Sequence, residues 1–178
     1  MEAKVFFIIE ASHLFRAGDK YHTQFFVTDV VHFLQRHYFP TSVAKTIVLH
    51  GSVKDDQAAR YAASLTRHGV QVIRMRPIAS AISAEKWFFR PTYYIHKMMG
   101  TEIPKGSQVV LIGFHNSRYL TFLQKYAKDF KLGMAVFHTP SKRLGEMHIP
   151  KEFEPYLKRM IDLDKHVDAI KAEFHKEK

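Results

Sequence analysis

Five short apolar runs punctuate the chain: Val5–Ile9, Thr46–Leu49, Val70–Ile73, Val109–Ile112 and Met134–Phe137. They are rich in β-branched residues and do not keep a strict polar alternation. A strand with one wet face alternates, so runs of this kind are strands covered on both faces, which is the mark of a parallel sheet. About five parallel strands are expected.

Amphipathic stretches separate the runs. Thr23 to Phe39 places Phe26, Val30, Val31, Phe33 and Leu34 on one side before Pro40 stops it. Asp55 to His68 turns Ala59, Ala62, Ala63 and Leu65 inward and meets Gly69 as a C-terminal stop. Asn116 to Phe130 offers Asn116 or Ser117 as N-cap and Leu120, Phe122, Leu123 and Tyr126 as its apolar face. Glu85 to Met99 reads as a helix or as a short strand and then a helix, with Pro91 interrupting it and a helix ending near Met99-Gly100 favoured, and His138–Pro150 reads as a loop. Lys151 to Met160 and Asp162 to His175 read as charged helices that pack on the domain or on another copy. Strand and helix alternating in this way predict right-handed βαβ units in a three-layer α/β sandwich. The expected division is a basic α/β domain over 1–150 and a helical segment over 151–178.

The chain of 178 residues has a size that one core can serve. It has no run of roughly 18 apolar residues, no N-terminal pattern of a secretory leader and no cysteine. A membrane span, disulfides and thiolate chemistry are thereby excluded, and a cytoplasmic location is the expectation. The formal charge of +10 is uneven, because residues 151–178 hold seven basic and seven acidic residues, so the whole excess belongs to 1–150. Such an excess attracts polyanions.

In an open parallel sheet, ligands gather beyond the carboxyl ends of the strands. The residues there are Glu10-Ala11-Ser12-His13, His50-Gly51-Ser52, Arg74-Met75-Arg76 and Gly113-Phe114-His115-Asn116-Ser117. This rim is polar, basic and rich in histidine. Neither a dinucleotide fingerprint nor a Walker loop follows the first strand, which argues against a nicotinamide or P-loop enzyme.

The segment Phe6-Phe7-Ile8-Ile9-Glu10-Ala11-Ser12-His13-Leu14-Phe15 resembles the opening of NYN domains of the PIN-like nuclease superfamily, where an aspartate ends the first strand and an asparagine follows three residues on. Val109 to Tyr119 is similar to that family's later strand and its Ser-Gly-Asp-x-Asp-Phe motif, with Tyr119 in the place of the final Phe. The resemblance spans roughly residues 4–138. It implies a PIN/NYN-like fold and a nuclease that holds Mg²⁺ or Mn²⁺ on several carboxylates.

The departures reshape that expectation. Glu10 stands for the first aspartate, His13 for the asparagine, and the later aspartates fall on His115 or Asn116 and on Arg118; Lys86 to Met98 contains Arg90, His96 and Lys97 and no carboxylate. One acid cannot make a Mg²⁺ centre, so the resemblance implies a catalytically degenerate scaffold that keeps a nucleic-acid groove.

The candidate nucleic-acid contacts are Arg74, Arg76, Lys86, Arg90, Lys97, Arg118, Lys142 and Arg143, the first five interleaved with Trp87, Phe88, Phe89, Tyr93 and Tyr94. Cations that track a backbone and rings that stack on bases suit single-stranded RNA or DNA. Three alternatives stay open. Glu10, His13, His96 and His115, with His50, can converge on a transition metal. A working metal-dependent nuclease can use Glu10 with histidines and acids such as Asp55, Asp56 or Glu85. The C-terminal segment can serve a protein partner or a homo-oligomer.

Overall fold

β1 (Ala3–Glu10) lies inside the sheet, and its side chains explain why its sequence does not alternate. Val5, Phe7 and Ile9 enter one core while Phe6 and Ile8 enter a second core on the opposite face. Each such residue contributes about 1.5–3 kcal/mol by burial, so both faces hold the strand in place. The computed structural model describes residues 3–51, 55–75, 90–141 and 145–176.

The other strands of this sheet are β2 (Ser42–His50), β3 (Gln71–Arg74), β4 (Gln108–Ile112), β5 (Lys131–Val136) and β8 (Arg159–Asp162). Their order is β3-β2-β1-β4-β5-β8, and every neighbouring pair is parallel. β6 (Thr139–Ser141) and β7 (Gly145–Met147) form a separate antiparallel pair. Six strands thus replace the five expected.

Helices cover both faces and complete the three-layer α/β sandwich. On one face lie α1 (Ala11–Tyr21), α2 (Val27–Tyr38), α3 (Asp55–Thr66) and α6 (Val167–Lys176), which send Leu14, Val30, Phe33, Leu34, Leu65 and Ile170 into the core. On the other lie α4 (Arg90–Met98) and α5 (Leu120–Tyr126), with Ile95, Met98, Phe122 and Leu123. The register places Ile9 against Ile112 across β1 and β4. Successive strands step one way from β1 to β3 and then the other way from β4, so the switch of direction falls between β1 and β4.

Several local expectations are corrected. α1 lies where no helix was expected. Of the helix expected over Glu85 to Met99, α4 accounts for Arg90–Met98 with Pro91 as its second residue, and residues 85–89 lie outside the described residues. The helix expected over 151–160 is a 3-10 turn over Lys151–Tyr156 followed by β8, and a second 3-10 turn, Leu163–His166, leads into α6. Phe153, Ile161, Leu163 and Ile170 are buried in the two cores, so the C-terminal segment packs on its own domain. Arg36 of α2 reaches Glu173 of α6 at 3.0 Å, closing that contact.

Leu163 has no exposed surface while Met160 beside it is 47% exposed. Leu163→Ala is expected to cost about 2–5 kcal/mol in urea unfolding, and Met160→Ala less than about 0.5 kcal/mol. A near-neutral Leu163→Ala would show the C-terminal segment to be an appendage.

Candidate functional site

Beyond Ile9 and Ile112 the chain turns polar on both strands at once. Glu10 is the last residue of β1, and α1 begins directly after it, so Ser12, His13 and Arg16 stand over the carboxyl edge. β4 ends in a tight turn in which Gly113 takes φ 96° and Phe114 φ 60°. A Cβ on Gly113 would stand 3.1 Å from that of His13 and 3.6 Å from that of Glu10. Glycine is therefore required for the close approach as well as for the backbone angle. The turn delivers His115 against His13, ring centroids 5.2 Å apart and nearly perpendicular.

Both imidazoles are buried, and burial decides their charge. His13 is held well below its ordinary value by burial first, then by His115 and the Arg16 guanidinium. His115 is lowered to about 4 by burial, with Arg16, His138 and His148 adding to it. Both are neutral near pH 7. His13 Nε2 accepts a hydrogen bond of 2.9 Å from the Phe137 backbone N–H, so its proton sits on Nδ1. Nδ1 of His13 and both ring nitrogens of His115 are buried with no hydrogen-bond partner among the described residues. Glu10 accepts from the Ser12 hydroxyl at 3.2 Å. Burial raises its carboxyl, against the pull of Arg16 and Ser12. Glu10 faces Arg16 electrostatically.

A second polar cluster adjoins the first. Asp164 accepts from His138 Nδ1 at 2.9 Å, from the His138 backbone N–H at 2.7 Å, from Lys20 Nζ at 3.3 Å and from the Tyr21 hydroxyl. Burial alone would raise the Asp164 carboxyl, but these bonds outweigh it and hold it below its ordinary value. The His138 and His148 rings lie 4.2 Å apart. Together with Asp162, His138 and Asp164 bring three potential ligand atoms within 4.8 Å of one another. Lys20 and Tyr21 occupy Asp164, and Asp162 accepts from the Asp164 backbone N–H at 3.0 Å. The Lys20 ammonium beside Asp164 offsets part of the negative charge of this carboxylate–imidazole group.

The four candidate metal ligands do not converge. Glu10, His13 and His115 share the carboxyl edge, but His96 sits in the last turn of α4 and pairs through Nδ1 with the Tyr126 hydroxyl at the end of α5. Helices run antiparallel to the strands, so both of these ends lie at the amino edge. His13 has also spent its lone pair on Phe137. His50, closing β2, is buried against the Tyr61 ring at 5.5 Å.

Of the candidate nucleic-acid contacts, Arg74 ends β3 and exposed Arg118 lies in the 3-10 turn after β4, both at the carboxyl edge. Exposed Lys97 is in the last turn of α4, at the opposite edge, over the Tyr93 ring at 4.4 Å. Arg90 opens α4. Arg76, Lys86, Lys142 and Arg143, together with Glu85, Trp87, Phe88 and Phe89, lie outside the described residues. Asp55 and Asp56 open α3. Sequence reasoning missed Arg16, because α1 was missed, and His138, because the residue after the fifth run was read as loop. The rule that found His13 and His115 would have found His138.

No protein-family model and no curated protein matches the chain. Among solved structures, a protein of unknown function from Vibrio parahaemolyticus is similar, with a TM-score of 0.60 at 10% identity over 92% of this chain and 94% of that one. At that identity the likeness is one of fold. No helix among the described residues is long and apolar enough to cross a membrane.

The neutral imidazoles have a sign that can be measured. In the unfolded chain a histidine titrates near 6.5, so as pH falls the unfolded state binds its proton first, and stability drops between about 6.5 and 4. His115 is expected to account for about 2 kcal/mol of the loss between about pH 7.5 and pH 5, with His13 acting in the same direction. Glu10, whose carboxyl burial raises, acts in the opposite direction. Urea unfolding at the two pH values should show a shallower loss in His115→Phe; equal losses would remove the buried imidazole as the cause.

Proposed function

We propose that the chain is a nucleic-acid-binding domain, with single-stranded RNA as the favoured form, built on a PIN/NYN-like scaffold without a working magnesium centre. The observation that carries this reading is the adjacency of β1 and β4. The two segments that resemble NYN motifs, Phe6–Phe15 and Val109–Tyr119, end side by side at the switch point, where an open α/β sheet binds its ligand. The chemistry at their ends is altered. Glu10 is the one carboxylate in those segments, and the remaining positions offer neutral His13, neutral His115 and the cation Arg118. A hard dication wants several anionic oxygens, and in these two segments Glu10 alone carries a carboxylate, one whose pKa burial raises.

Cations flank that point. Arg74 at the end of β3, Arg16 over β1 and Arg118 after β4 span the carboxyl edge, and they belong to residues 1–150, which carry the charge excess. A polyanion laid across the sheet ends meets them in turn.

Binding of a fluorescent single-stranded RNA should weaken steeply with salt. Replacing Arg16, Arg74 and Arg118 together by Ala should lower the log–log salt slope by about 2, at roughly 0.7 per phosphate contact on a single strand. Salt-independent binding, or a triple variant with an unchanged slope, contradicts the reading. Labelled RNA incubated with Mg²⁺ should also stay intact. Cleavage that Glu10→Gln abolishes would make the chain a nuclease.

A further inference from the structure

Three imidazole nitrogens at the carboxyl edge have been taken out of water with no hydrogen-bond partner among the described residues, Nδ1 of His13 and both nitrogens of His115. His13 is fully buried and His115 is 5% exposed. Unpaired buried polar atoms are uncommon in native proteins because each forfeits the bond it had in water. Three in two touching rings, at the switch point of the sheet, mark a place where a ligand supplies the missing bonds.

The ligand's chemistry follows from what is left over. His13 Nδ1 carries a proton, because Nε2 accepts from Phe137, and neutral His115 adds one N–H donor. The groups facing these rings are Arg16 on α1, Asp164 after β8, His138 after β5 and His148 after β7, Asp164 acting on His13 more strongly than His138 does. Glu10 and Tyr119 share the Arg16 field on the neighbouring side. The two carboxylates are engaged, Asp164 by Lys20, Tyr21 and His138, and Glu10 by Ser12 and Arg16. The vacancies are thus mainly donors under a positive field, which calls for an anionic oxygen ligand. A metal would find a single usable imidazole, since His13 has no lone pair to give.

We propose that His13, His115 and Arg16 form a binding site for a terminal phosphate monoester, carried by a nucleic-acid strand end or a free nucleotide. The depth of the rings selects an end. An internal phosphodiester carries a sugar on both sides and cannot follow its phosphate to a fully buried His13, whereas a monoester offers three oxygens on one arm. The second nitrogen of His115 accepts from a protonated phosphate oxygen. The proposal deepens the nucleic-acid reading and rests on it for the strand-end form of the ligand.

Two measurements test it. In the first, inorganic phosphate is titrated into protein with ¹⁵N-labelled histidine, and the ring nitrogens of His13 and His115 should shift. In the second, one RNA sequence is compared with a 5′-phosphate, a 3′-phosphate and hydroxyl ends. One phosphorylated end should bind about tenfold tighter or more, as expected for charge-assisted hydrogen bonds. His115→Phe should remove that advantage and Arg16→Gln should reduce it. If His115→Phe does not fold, Arg16→Gln and the wild-type spectra decide. RNA binding that ignores the end group, with His13 and His115 unmoved by phosphate, overturns the site and leaves the nucleic-acid reading standing. Rings that respond to phosphate and to a mononucleotide, with no RNA bound, uphold the site and overturn that reading. Rings that respond to Zn²⁺ and not to phosphate also overturn the site.

Discussion

Ile9 faces Ile112 between two strands that are buried on both sides, and this pairing governs everything polar near them. Between Val5 and Ile9 of β1 and between Val109 and Ile112 of β4 neither face carries a charge, so the polar residues that follow each run fall at the same edge. Gly113 then lets the chain after β4 close on α1, so that His13 and His115 meet as rings rather than passing each other. The Phe137 N–H, from the end of β5, fixes the His13 tautomer. Three strands contribute to one arrangement of two side chains, and the arrangement is as rigid as the sheet.

Much of this was legible in the chain itself. Runs without alternation announced strands covered on both faces, and the burial of Phe6 with Phe7 and of Ile8 with Ile9 is the physical content of that pattern. Helix positions were legible where an apolar face and a stop coincided, as in α2 and α3. α1 was not, because His13 lies on its buried face and reads as polar in any pattern of hydrophobicity. β8 was hidden for the opposite reason. It is an edge strand with two exposed residues, Arg159 and Met160, inside a charged segment whose apolar spacing imitates a helix.

The site was partly legible for the same cause. Inspecting the residues after each apolar run brought Glu10, His13 and His115 into view, but spacing along a chain does not say which edge of a sheet a helical residue reaches. His96 and Lys97 follow strands in sequence yet ride α4 back to the amino edge, where His96 meets Tyr126. Only the direction of the crossover separates them from Arg74.

Exchanging carboxylates for imidazoles at a strand-end site changes what the site can hold. A set of aspartates is a negative well, and it binds a phosphate only after a dication has reversed its sign. On the reading proposed above, neutral imidazoles beside Arg16 need no such intermediary, because N–H groups can address phosphate oxygens directly while a guanidinium supplies the charge. A strand-end site with few acids lacks the repulsion that a bare acidic site exerts on a phosphate, so what such a location can hold depends on which side chains replace the acids.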